Sequence, residues 1–293
     1  MSADFNIDSL LPPEMARKAE TVGVTKANAP ARYLFTLAIL AGAFIGLGAM
    51  FATVAFSGTL PSGSAGGAAL PYGVTRLLGG LVFSLGLILV IVGGAELFTG
   101  NVLIVMAWAS RKVTTLQLLR NWGIVYLGNF VGSILTAGLV FLANQYQSGA
   151  GTVGLTALNI ANSKAGLSFL PAVASGILCN ALVCLAVWLT YSARTTMDKI
   201  LAIVFPITAF VAAGFEHSIA NMYFLPLGLF IKSFAVPSFW AGVGKTAADF
   251  GHLTWGAFFL RNLLPVTIGN ILGGGVLVAA VYWVAYLWKP KQK

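Results

Sequence analysis

The sequence predicts an all-α membrane protein whose six transmembrane helices form two inverted three-helix repeats, with spans two and five broken. Three observations carry this prediction: six long apolar stretches, one motif that occurs twice at identical spacing, and polar clusters at matching points of the second and fifth stretches. The 293 residues are 58% hydrophobic and 9% charged, with a mean hydropathy of +0.88. A soluble domain carries about a quarter charged residues, so this chain belongs in a bilayer.

The first thirty residues are polar and mixed in charge, without the basic and short apolar regions of a signal peptide. The first span is therefore expected to serve as the membrane signal. Within this N-terminal segment (1–30), Ser9-Leu-Leu-Pro-Pro-Glu14 reads as a cap followed by prolines in a first helical turn. Leu11, Met15, Ala19 and Val22 then recur at helical spacing, which predicts a short amphipathic helix on the cytoplasmic face; on these residues alone the alternative is a solvated leader.

A membrane-spanning helix needs roughly 20 apolar residues. Six stretches qualify in the pore domain (31–293): Leu34–Phe56, Leu77–Trp108, Leu116–Leu142, Leu167–Tyr191, Ile200–Ile231 and Trp255–Trp288. Six spans place both termini on one face. That face, with the loops around Arg111 and Arg194, holds twelve Lys and Arg residues; the other holds five, namely Arg76, Lys164, Lys232, Lys245 and Arg261. By the positive-inside rule both termini are cytoplasmic. The formal charge of +9 is spread singly between apolar runs, so no nucleic-acid surface is expected.

Arg120-Asn-x6-Gly128-Asn-x2-Gly132 recurs as Arg261-Asn-x6-Gly269-Asn-x2-Gly273. Gly94-x-Glu96-x4-Asn101 in span two likewise recurs as Gly214-x-Glu216-x4-Asn221 in span five. Spans one to three thus match four to six, as repeats 31–147 and 165–289. An odd number of helices per repeat forces opposite orientation, the plan of many channels and transporters. Gly42, Gly46 and Gly48 in span one, and Gly269 with Gly273 in span six, suit close helix approach. Spans two and five, each of about 32 residues, would run some 48 Å as continuous helix against a hydrocarbon core of ~30 Å. Each is read as a helix, a break and a shorter helix, and paired breaks point to the transport site.

A half-helix starting within the membrane offers free N–H groups and a partial positive charge, which favour an anion without placing a full charge in lipid. His217 is the one intramembrane group in the sequence that titrates near neutral pH, so it either binds an anion when charged or passes it a proton; the alternative is a neutral histidine hydrogen-bonded inside the bundle, and its place in the repeated break favours function. Thr99, in the partner break, offers a hydroxyl to the anion or to His217, or caps its own half-helix. Glu96 and Glu216 would repel an anion and are assigned to bonding freed backbone N–H groups; Asn101, Asn221, Asn129 and Asn270 would tie the breaks to the third helices. Phe83, Leu87 and Phe210 form apolar constrictions or pack ordinarily. Lys164 either draws anions into a vestibule or is a solvated loop lysine. Cys179 and Cys184 are read as packing residues, and with no CxxC and two histidines no metal or cofactor is expected.

Gly214-Phe-Glu-His-Ser-Ile-Ala-Asn-Met222, Asn262-Leu-Leu-Pro-Val-Thr-Ile-Gly-Asn270 and Glu96-Leu-Phe-Thr-Gly-Asn101 resemble the formate/nitrite transporter family over nearly the whole chain. The resemblance implies an aquaporin-like protomer with its own pore, assembled as a homopentamer in the lipid of the bacterial cytoplasmic (inner) membrane. It also implies that His217 is the central pore histidine, Thr99 its partner and Asn270 a neighbour, with Phe83, Leu87, Leu97 and Phe210 at constrictions and Lys164 in the vestibule. Thr267-Ile-Gly-Asn-Ile-Leu-Gly-Gly-Gly275 and the leader look most like formate channels within the family; nitrite and hydrosulfide, also small monovalent anions, are the alternatives.

A water or glycerol channel would share the plan, but the expected Asn-Pro-Ala pair is absent. An enzyme is disfavoured because Glu216 and His217 are sequence neighbours that point apart on a helix and no nucleophile or metal set joins them. Gly242-Val-Gly-Lys245-Thr246 echoes the end of a phosphate loop, yet Phe239 stands where its first glycine should be, which excludes ATP hydrolysis.

Overall fold

The computed structural model describes residues 9–59 and 70–288, and every regular element among them is helical. Lys289, Lys291 and Lys293, three of the twelve cations counted on the terminal face, lie outside the described residues, as does the last residue of the second repeat. In chain order the helices are α1 (Pro12–Asn28), α2 (Ala31–Phe56), α3 (Tyr72–Gly93), α4 (Phe98–Ala109, tightened to a 3-10 turn at Val102–Ile104), α5 (Thr115–Leu142) and α6 (Thr152–Ala165). There follow α7 (Phe169–Ser192), α8 (Thr196–Ala213), α9 (Ser218–Phe234), the short α10 (Pro237–Val243) and α11 (Ala257–Tyr286). Among the described residues α2, α3, α5, α7, α8 and α11 are long and apolar enough to cross a membrane. The half-helices α4 and α9 continue α3 and α8 beyond the two breaks.

Each break is made by a glycine. Gly94 and Gly214 both have φ +78°, a left-handed conformation in which an L side chain is strained by roughly 1–2 kcal/mol. The following amides close the preceding helices, with Ala95 N–H donating to the Val90 carbonyl (2.9 Å) and Phe215 N–H to the Phe210 carbonyl (3.0 Å). The chain then turns extended through Leu97 and His217 before the next helix begins.

The repeated glycines set the helix crossings. A Cβ on Gly132 would stand 1.9 Å from the Ile39 carbonyl oxygen, and one on Gly273 would stand 2.1 Å from that of Ile177. Backbone thus meets backbone where α5 crosses α2 and where α11 crosses α7.

Two sequence expectations are corrected. Ser9 does not cap α1, because a residue preceding proline avoids the helical region and the helix therefore begins at Pro12, with Glu14 accepting from Leu11 N–H at 2.8 Å. Lys164 is not on a loop but in the last turn of α6. Helix α1 buries Met15, Ala16 and Ala19 against Val102, Met106, Trp188 and Val278, so its apolar stripe packs on the protein itself. Lys112 and Glu20 form a further ion pair across this contact.

Candidate functional site

Each break is held by the same polar framework. In the first, the Glu96 carboxylate accepts two bonds from Lys26 Nζ (both 2.8 Å) and one from Asn101 Nδ2 (2.7 Å); Asn101 Nδ2 also reaches Asn121 Oδ1 (3.0 Å). In the second, Glu216 accepts from Lys164 Nζ (2.7 Å), Asn221 Nδ2 (2.7 Å) and Asn262 Nδ2 (3.0 Å), and Asn221 Nδ2 reaches Asn262 Oδ1 (2.7 Å). Asn121 then donates to the Lys26 carbonyl and Asn262 to that of Lys164, so α1 and α6 take matching places in the two halves.

The carboxylates therefore do not bond freed backbone N–H groups. An ammonium neutralises each of them, which a charge at this depth requires. The freed amides go to asparagines: Phe98 N–H donates to Asn129 Oδ1 and Ser218 N–H to Asn270 Oδ1, each at 2.9 Å. The same asparagines donate backwards, Asn129 to the carbonyls of Ala38 (2.8 Å) and Glu96 (2.9 Å), Asn270 to those of Gly176 (2.8 Å) and Glu216 (3.0 Å). One side chain thus stitches a break to the first and third helices of its own half, pairing one freed amide and two carbonyls that would otherwise cost free energy in hydrocarbon.

Between the halves the polar pair predicted from the sequence is present: Thr99 Oγ1 lies 3.0 Å from His217 Nε2, and both residues are buried. The Ala220 N–H donates to His217 Nδ1 at 3.1 Å, making the imidazole the cap of α9. A neutral ring whose Nδ1 accepts must carry its proton on Nε2. The Thr99–His217 pair therefore holds two protons, Nε2–H and Oγ1–H, of which one bridges the pair and one remains to be donated. The Thr99 carbonyl is held by Asn180 Nδ2 (3.2 Å) and by the Cys184 thiol (3.3 Å); Asn180 Nδ2 also reaches the Asn270 carbonyl at 2.7 Å. Cys184 thus has a polar contact beyond the packing expected of it.

Two cavities approach this pair from opposite ends of α2 and α3. One, of about 370 Å³, is lined by Lys18, Lys26, Tyr33, Leu87, Glu96, Leu97 and Lys199, on the side of α1. The other, of about 350 Å³, is lined by Tyr72, Arg76, Phe83, Lys164, Phe210, Glu216 and His217, on the side of α6. Leu87 and Leu97 line the first; in the second, Phe83 meets Phe210 edge-on (5.7 Å between ring centres) and Phe210 stacks on His217 (5.8 Å). All five side chains are buried. Lys18, whose Nζ donates to the Tyr191 carbonyl, is held below the ordinary lysine range by burial first and by Arg194 and Lys199 second.

The chain matches the family model described as formate/nitrite transporter over residues 13–284. It belongs to that family. The formate channel FocA of Escherichia coli K12 is 49% identical over 98% of both chains, and the formate channel FocA of Haemophilus influenzae is 42% identical over 92% of both. A solved pentameric formate channel with formate bound is 47% identical and superposes with a TM-score of 0.81, covering 88% of this chain and 98% of that one.

Within this family member, sequence reasoning placed Thr99 beside His217, found the asparagine ties and singled out Lys164, but passed over the two ion pairs, Asn121 with Asn262, Asn180 and the cavity position of Arg76. Lys26 and Lys164 pair with carboxylates far along the chain, and only the structure brings α1 and α6 to them. Asn121 and Asn262 stood in the repeated motif itself, so their matching positions were a usable signal. Asn180 has no counterpart in the other half, because Gly42 occupies the matching place, and self-comparison could not raise it. Arg76 was counted only for topology.

Proposed function

We propose that this protein is a formate channel of the bacterial cytoplasmic membrane, with one pore per protomer running from the α1-side cavity to the α6-side cavity through the Thr99–His217 pair. The observation that carries this reading is the buried Thr99–His217 contact, fixed by the Ala220 amide at the meeting of two intramembrane half-helices. One free donor, the Thr99 hydroxyl, and two helix N-termini lie at one small volume, which suits a small monovalent oxyanion. Charging His217 would set an Nδ1 proton against the Ala220 N–H and cost the α9 cap, so this geometry supports hydrogen-bond donation by the neutral ring and links any pH response to the end of that helix.

The same reading assigns constriction to Phe83, Leu87, Leu97 and Phe210, and support of the breaks to Glu96, Glu216, Asn101, Asn221 and Asn270. The α1 side is cytoplasmic by the distribution of Lys and Arg, the assembly is a homopentamer bathed in lipid, and no chemistry is performed on the substrate. The test is uptake by proteoliposomes of formate, nitrite, hydrosulfide and glycerol across a pH series. Formate flux with glycerol excluded is expected, and His217→Asn should keep the fold while changing pH dependence and anion selectivity. Glycerol passage, preference for nitrite or hydrosulfide, or unaltered pH behaviour in the variant would each overturn the corresponding part.

A further inference from the structure

Lys164 lines the α6-side cavity, yet its charge is matched by Glu216. The cavity has a second cation. Arg76, in the second turn of α3, donates Nε–H to the Ala212 carbonyl at 3.0 Å and Nη2–H to the Val211 carbonyl, and its guanidinium lies over the Phe56 ring at 4.6 Å. None of the three ion pairs among the described residues includes it. A guanidinium has five N–H donors, and these contacts hold the group rigid while leaving donors toward the cavity. It stands at the lip of the break: a Cβ on Gly214 would come within 3.3 Å of Nη2. Asn159, Ser163 and Tyr72 add polar groups to the lining of the same cavity.

Resting on the reading of this cavity as an anion path, we propose that Arg76 is an anion-recruiting and anion-selecting residue of the α6-side mouth, where it binds a small monovalent oxyanion transiently before the anion passes Phe83 and Phe210. A fixed cation in a low-dielectric funnel raises the local anion concentration and does so less as salt rises. Carbonyl bonding alone would make Arg76 only a cap on the C-terminus of α8. Recruitment differs from capping in being sided, charge-dependent and salt-dependent.

The experiment measures formate flux in oriented proteoliposomes, from each face separately and at low and high ionic strength, for the wild type, Arg76→Gln and Arg76→Lys. Glutamine keeps a donor for the Ala212 carbonyl without the charge. The half-saturating formate concentration from the α6 side is expected to rise roughly threefold to tenfold in Arg76→Gln, with its salt dependence flattened, while the value from the α1 side stays put. Arg76→Lys should recover most of the salt dependence. An unmoved α6-side value, an equal rise from both faces, or the same loss of flux in both variants would overturn the proposal. Absence of formate flux in the wild type would instead overturn the channel reading beneath it, and the proposal with it.

Discussion

The two breaks share a framework and differ in what they carry. Glu96 and Glu216, Asn101 and Asn221, Asn129 and Asn270 make the same bonds in each half. Within the same six-residue turn, however, Leu97 faces His217 by position, Phe98 faces Ser218, and Thr99 faces Ile219. One half thus supplies the hydroxyl and the other the imidazole, and the pair forms only across the interface. The carbonyls at these positions are held by unlike means too: Asn180 of α7 reaches Thr99, whereas Ser133 of α5 reaches Ile219 at 3.4 Å. Duplication explains the scaffold, and departures from it coincide with the candidate site.

The sharpest way to break this comparison is to remove one ammonium. Lys164→Met should cost about 3–5 kcal/mol by stranding Glu216 in the bundle, read as lost thermal stability in detergent. Lys26→Met should cost less, on the order of 1–2 kcal/mol, because its pair is 27% and 10% exposed against 16% and 4% for Lys164–Glu216. Equal losses would show that the two clamps are energetically alike despite their burial. Asn270→Ala should fall between the two at about 3 kcal/mol, since it orphans the Ser218 amide and two carbonyls. Asn129→Ala should match it, and a much milder loss there would mean that the first break is supported elsewhere.

Gly214→Ala and Gly94→Ala should each cost roughly 1–2 kcal/mol for the left-handed backbone, with Gly214 the worse because Arg76 also crowds it, whereas nothing approaches a Cβ on Gly94. The smallest effect on stability sharpens function instead. Thr99→Val keeps the volume and should lower formate flux about tenfold, as for the loss of one hydrogen bond of ~1.4 kcal/mol. Ile219→Val, its positional counterpart, should leave flux within a factor of about two, as a small change in packing does.

The membrane helices were legible because hydropathy and self-similarity need no long-range information: Gly94, Gly214 and both asparagine motifs announced the breaks and their anchors. The ion pairs were not, since Lys26 reaches Glu96 across 70 positions and Lys164 reaches Glu216 across 52, and nothing local to either lysine encodes a partner. The roles of Glu96 and Glu216 were misread for the same reason, because without the lysines in view a backbone amide was the only donor at hand.

Asn180 also bears on how the molecule can move. Its amide nitrogen grips the Thr99 carbonyl of one half and the Asn270 carbonyl of the other, so it works as a clasp through the seam. Rocking one half about the other would have to open that clasp. A variant lacking the clasp is therefore where slow, whole-half motion would first be seen.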